Sequence, residues 1–191
     1  FEYTAALRVG LLSPPHGPTR GGTALQLSGA NFVAPMVCRF GASDPVEATV
    51  VSDSAALCDT PPMASAGELA VEVSTNGVDY SVSALQYTYA RLPSLSYLSP
   101  ANGPLRGGTS VMLHGEHFTP SPLLRCRFGP RLIDAVYISS TRANCTSPFH
   151  DAGLVPVEVT TNGADYSNSN GSQTFLFTQE AQVAAVQPNT L

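Results

Sequence analysis

The sequence predicts an all-β chain of two β-sandwiches in tandem, on three observations. The first is a duplication. Ser13-Pro14-Pro15-His16-Gly17-Pro18-Thr19-Arg20-Gly21-Gly22-Thr23 returns as Ser99-Pro100-Ala101-Asn102-Gly103-Pro104-Leu105-Arg106-Gly107-Gly108-Thr109. Cys38-Arg39-Phe40-Gly41 returns as Cys126-Arg127-Phe128-Gly129, and Val71 through Ser81 returns as Val157 through Ser167. Copies this far apart are whole domains, longer than the roughly 20–50 residues of a solenoid unit. The second observation is period-two alternation of apolar and polar residues, with no helical period anywhere. The third is turn chemistry. Gly and Pro number 16 each, and Asn76-Gly77, repeated as Asn162-Gly163, lies between alternating runs as a hairpin signal. Short strands broken by regular turns read as a sandwich.

Each element of the first repeat has its own reason. Gly21-Gly22 supplies a positive-φ turn into the next strand. In Ala24-Leu25-Gln26-Leu27-Ser28 the two leucines point one way. In Val37-Cys38-Arg39-Phe40, Cys38 and Phe40 point inward and Arg39 outward. Leu69, Val71 and Val73 alternate with Glu72. Leu85, Tyr87 and Tyr89 alternate in the last strand. In Asn-Gly-x-Asp-Tyr-Ser, Asp79 and Asp165 are expected to bond the turn amides, with the following Tyr packed beside them.

Composition narrows the function. There is no Trp, so the cores rest on Val, Leu, Phe and Tyr. All nine basic residues are Arg and the formal charge is −5. Residues 9–94 hold three Arg against seven acids, and residues 95–178 hold five of each. A lysine-free, acidic surface releases few counterions from DNA, which argues against nucleic acid as a partner. No apolar run is long enough to cross a bilayer, so no direct membrane insertion is expected of this stretch. The four Cys sit at matched places, and the repeat selects Cys38–Cys58 and Cys126–Cys145 from three pairings. Such bridges require an oxidising compartment; two pairs of buried free thiols are the alternative. Asn144-Cys145-Thr146 and Asn170-Gly171-Ser172 are candidate N-glycosylation sequons.

Taken together, the motifs resemble a known family. Ser-Pro-x-x-Gly-Pro-x-x-Gly-Gly-Thr is followed by Gly29-Ala30-Asn31-Phe32, Cys-x-Phe-Gly and Cys58-Asp59-Thr60-Pro61-Pro62. The Val-Glu-Val strand and the Asn-Gly hairpin complete the set. This pattern resembles the IPT/TIG domain, an immunoglobulin-like sandwich of plexins, Met-type receptors and fibrocystin-like proteins. The resemblance spans essentially the whole chain. It implies two tandem immunoglobulin-like sandwiches, with the bridges Cys38–Cys58 and Cys126–Cys145 seen in extracellular relatives. The second repeat departs at Glu116-His117-Phe118, where the first has Ala30-Asn31-Phe32, and carries extra residues before Cys126 and near 168–172.

No catalytic constellation emerges. There is no Gly-x-Ser-x-Gly elbow, no carboxylate in a distinctive setting, and no implied cofactor. His114-Gly115-Glu116-His117 is the one cluster that invites a metal reading, but the first repeat has Ser28-Gly29-Ala30-Asn31 there. Solvated loop histidines are the expectation, and no metal is assigned. Asp79 and Asp165 supply one acid per repeat, too few for a calcium shell. Arg125, Arg127 and Arg131 cluster on one strand and its turn, with the first two on one face. They form a weak candidate patch for an acidic glycan or protein surface.

The repeat also phases the ends. Tyr3 precedes Pro14, Tyr89 precedes Pro100 and Phe177 precedes Pro188 by the same interval. Residues 1–5 then read as the last strand of a preceding repeat, 6–90 and 91–179 as two whole repeats, and 180–191 as the start of another. The joint Ala90-Arg91-Leu92-Pro93-Ser94-Leu95-Ser96 is short and proline-bearing, unlike a Gly/Ser tether. Leu92, Leu95 and Leu98 are expected partly at the joint, or else as the opening strand of the second sandwich. The expected role is a non-enzymatic structural or adhesion module, a stiff spacer at the extracellular, cell or ciliary surface. Its partners would be neighbouring repeats and other surface proteins or glycans. A ligand-binding module is the alternative.

Overall fold

The computed structural model describes residues 6–82, 84–167 and 173–180, and these contain no helix. The expected strand at 1–5, all but the first residue of 180–191, and the sequon residue Asn170 lie outside the described residues. Contacts divide the chain into two units. The first holds Phe1–Pro93 together with Thr160–Tyr166, and the second holds Ser94–Val159 and Ser167–Leu191.

The first unit comprises β1 (Arg8–Ser13), β2 (His16–Pro18), β3 (Ala24–Ala30), β4 (Met36–Phe40), β5 (Val46–Ser52), β6 (Ala55–Asp59), β7 (Gly67–Ser74) and β8 (Gln86–Ala90). They form one sheet in the order β1-β3-β6-β5-β4-β7-β8-β2. All pairs are antiparallel except β2 with β8. The alternating residues converge as the pleat requires: Leu25, Leu27, Cys38, Phe40, Val71, Val73, Tyr87 and Tyr89 are all buried in one core. Phe40, Tyr87 and Tyr89 meet edge-on at centroid separations of 5.0–6.3 Å, the arrangement their ring quadrupoles favour. A disulfide joins Cys38 on β4 to Cys58 on β6. These strands are not neighbours; β5 lies between them.

The second unit comprises β9 (Ser94–Ser99), β10 (Asn102–Pro104), β11 (Ser110–Glu116), β12 (Arg125–Phe128), β13 (Arg131–Asp134), β14 (Val136–Ser139), β15 (Arg142–Thr146), β16 (Gly153–Thr160) and β17 (Thr174–Thr178). Here two sheets are separate, β10-β17-β16-β12-β13 and β14-β15-β11-β9. The counterpart of β5 is broken at Ala135: β13 pairs with β12, and β14 pairs with β15. Phe128, Phe175 and Phe177 repeat the edge-on trio, and Cys126 is joined to Cys145 across the two sheets.

The double glycine builds a clasp at the same place in each unit. Gly21 and Gly22 have φ of 71° and 81°, and Gly107 and Gly108 have 74° and 83°, the left-handed region where glycine pays no Cβ penalty. The Gly22 amide then donates to the Thr60 carbonyl at 2.8 Å, and the Thr23 amide to Thr60 Oγ1 at 3.1 Å. Gly108 and Thr109 make the same two bonds to Ser147. A Cβ on Gly21 would stand 2.5 Å from the Thr60 carbonyl oxygen.

Two expectations are corrected. Leu95 packs against the second unit's own core and Leu98 is buried within it, because both lie on β9, which opens that sandwich. Leu7 and Val9 likewise pack against the core of the first unit. The Asn-Gly turns are not two-residue hairpins. After β7 the chain runs on to Ser81, whose amide returns to the Val73 carbonyl, and Ser167 does the same with Val159.

Two measurements check the cores. Cys126→Ala with Cys145→Ala should destabilise the second unit by roughly 3 kcal/mol, the chain-entropy value for a loop of this size, read as a lower denaturant midpoint. The Tyr87 hydroxyl is buried beside the hydroxyls of Thr23 and Thr60, and the structurally matched residue in the second unit is Phe175. Tyr87→Phe should therefore change the stability of the first unit by no more than about 1.5 kcal/mol; a larger shift of the denaturant midpoint would contradict this.

Candidate functional site

The most organised polar feature is the Asn-Gly-x-Asp loop, and its closure differs from the expected one. The residue that ties the turn is Asn, not Asp. Asn76 Oδ1 accepts from the amides of Val78 and Asp79 at 2.9 and 2.8 Å, the reach of an Asx turn. Ser74 Oγ accepts from Gly77 N at 2.9 Å. The Asp79 carboxylate is left to accept from Asn76 Nδ2 at 2.9 Å. The Tyr80 ring lies 3.6 Å beneath the Arg39 guanidinium, itself paired with Glu72. The second copy repeats every internal bond: Asn162 Oδ1 with the Ala164 and Asp165 amides, Thr160 Oγ1 with Gly163 N, and Asn162 Nδ2 with Asp165.

The surroundings of the two copies differ. Asn76, Gly77, Val78 and Asp79 are exposed. Thr161, Asn162 and Asp165 are buried to below 10 % exposure, within the first unit. There the Thr23 hydroxyl donates to Asp165 Oδ2 at 2.8 Å, and Asn162 Nδ2 donates to the His16 carbonyl at 2.8 Å. These two bonds are what group Thr160–Tyr166 with the first unit by contact. Thr23 and His16 were invisible as functional positions in the sequence. Their one signal was the recurrence of Gly-Gly-Thr and Asn-Gly-x-Asp in both repeats.

The other sequence candidates are dispersed. Arg127 pairs with Glu158 on β16, and Arg125 Nε lies 3.0 Å from Asp134 on β13. Both are thus neutralised along the strand face; Arg131 is exposed at the start of β13. His114 stacks on Tyr97 at 4.1 Å, and His117 faces Glu116 at 3.7 Å. His117 and Asn31 hold the same positive-φ corner, 62° and 64°. No group of three metal-capable side chains occurs among the described residues. Asn144 lies inside β15, opposite both Met112 and Val136. Its amide exchanges hydrogen bonds with the Ser110 hydroxyl.

His16 carries a pH signature. Its Nε2 is buried without a partner. Burial lowers its pKa from the ordinary value; a hydrogen bond with the Thr161 backbone and the Asp165 carboxylate oppose the shift. A lowered folded pKa means that the unfolded chain takes up the proton first. The contribution to stability is full above about pH 6.5 and is lost as pH falls below it. The denaturant midpoint of the first unit should fall between pH 7.5 and pH 5.5. His16→Asn, which copies Asn102, should flatten that part of the slope; an unchanged slope would refute the assignment.

Comparison with known proteins converges on one family. The IPT/TIG domain model matches residues 7–89 and again 93–177. Plexin A3 of Danio rerio is 22% identical over 202 residues, covering 95% of this chain and 10% of that protein. Fibrocystin-L of Mus musculus is 26% identical over 151 residues, covering 78% of this chain and 4% of its own length. The chain therefore spans a tenth or less of these relatives. Among solved structures, the plexin A4 extracellular region superposes with a TM-score of 0.56 at 20% identity, over 83% of this chain and 15% of that one, a likeness of fold. The two disulfides point to an oxidising, extracellular or cell-surface setting. The chain belongs to the IPT/TIG family, as two tandem non-catalytic, immunoglobulin-like domains.

Proposed function

We propose that the chain is a stiff spacer in a tandem array of IPT/TIG domains, serving adhesion at a cell or ciliary surface by holding other modules at a set distance. One observation carries this reading. Three residues, Arg91, Leu92 and Pro93, separate β8 from β9, too few for a slack tether. Proline fixes its own φ and restricts the residue before it, lowering the entropy of the free joint. The partners proposed are neighbouring repeats, which need only surfaces already present in each domain. A glycan- or acid-binding role is less supported, because Arg125 and Arg127 already hold carboxylates.

Small-angle X-ray scattering tests the spacer. The unaltered chain should fit a narrow distribution of maximum dimension. A variant with a six-residue Gly/Ser insertion after Pro93 and Asp165→Ala should broaden that distribution while each domain stays folded. Equally broad distributions for both proteins would rule out the spacer and favour a loose tether.

A further inference from the structure

We propose that the exposed Asn76-Gly77-Val78-Asp79 loop is a docking element whose partner is the Gly-Gly-Thr edge of another IPT/TIG repeat placed N-terminal to it. Two loops of the chain form a matched pair. Loops 74–81 and 160–167 are closed by the same hydrogen bonds from the same atoms. In the second, the two outward functions of that geometry are used. Asp165 Oδ2 accepts from the Thr23 hydroxyl, and Asn162 Nδ2 donates to the His16 carbonyl. In the first, Asn76 Nδ2 and Asp79 Oδ2 sit in the same mutual geometry at 2.9 Å, on exposed residues. An Asx turn fixes these atoms before any partner arrives, so docking costs little ordering entropy.

The complementary half also exists unaltered. The Gly107-Gly108-Thr109 edge has the φ values, the amide bonds to Ser147 and the position after β10 that Gly21-Gly22-Thr23 has with Thr60 after β2. Asn102 stands where His16 stands and is exposed, while Thr109 is half-buried against 2 % exposure for Thr23. Among the described residues there is therefore one used donor–acceptor set and two halves without a partner, one of each kind. A partner on the first loop also has apolar surface to cover. Val78, Val82 and Val33 are 77%, 103% and 61% exposed, and the latter two line a hollow with Asn76 and Asp79. Such a surface, differing from the one it contacts, is the heterologous kind that propagates along an array.

The test joins residues 1–177 to residues 4–191 of a second copy, a junction that keeps the repeat phase because Phe177 and Tyr3 precede their prolines alike. Linking raises the effective concentration of the two halves into the millimolar range. Thr109→Cys in the first copy and Asp79→Cys in the second should then form a disulfide under mild oxidation, seen as one new cross-linked peptide. Placing both substitutions in the first copy should give at least tenfold less. Thr23→Cys with Asp165→Cys in the single chain is the reference pair and should cross-link fully. A reference pair that cross-links while the Thr109–Asp79 pair does not exceed its control would overturn the proposal. A reference pair that fails would overturn it too, by removing the seat of 160–166 from which it is argued.

Discussion

In both units the constraint on which everything else rests is a covalent tie between strands that never pair. Cys38 and Cys58 flank β5 in the sheet order, and Cys126 and Cys145 sit on different sheets. A domain of this size buries only about 60% of the surface its unfolded chain exposes, and this one has no tryptophan to enlarge the core. The tie holds the two layers at the spacing that the Phe40–Tyr87–Tyr89 and Phe128–Phe175–Phe177 clusters fill. With the layers fixed, the loops at the sandwich ends inherit fixed positions. The Gly-Gly-Thr clasp and the Asn-Gly-x-Asp loop therefore hold matching places in each unit.

The two Asn-Gly-x-Asp loops separate what is local from what is not. Their internal bonds are set by residues within eight positions of one another, and they come out alike. Their burial is set by residues far away in the chain, and it differs. Asp165 finds a hydroxyl, where Asp79 finds solvent. A loop that is already shaped before it is covered suits a repeat protein, since the same sequence can serve at a covered or an open position. The unpartnered Nε2 of His16 shows that coverage also has a cost, because burial withholds water from a titratable ring.

Much of this was legible in the sequence, because repetition and alternation are local signals. Leu25, Leu27, Phe40, Val71 and Val73 are inward as the period requires, and the double glycines hold positive φ in both copies. Other features escaped for identifiable reasons. Asn and Asp both bond turn amides, and only geometry separates Asn76 as the closer from Asp79. Leu95 and Leu98 near a proline read equally well as a joint or as a first strand; β9 pairing with β11 decides it. The break at Ala135 could not be placed because Leu132-Ile133 and Ala135-Val136-Tyr137-Ile138 are apolar runs without the alternation of Val46 to Val50. The partner of Asp165 could not be read at all, being 142 residues away.

That break changes how the two units meet other molecules. In the first unit β5 bonds to β4 and β6 along its length, so its sheet ends only at β1 and β2. In the second, β13 and β14 are each the last strand of a sheet. Leu132, Val136, Tyr137 and Ile138 on them are 37–64% exposed. Open edges bearing β-branched and aromatic residues invite strand addition and aggregation. The hazard of edge-to-edge aggregation in concentrated or partly unfolded material is therefore lodged in the second unit, at the very place where one strand became two.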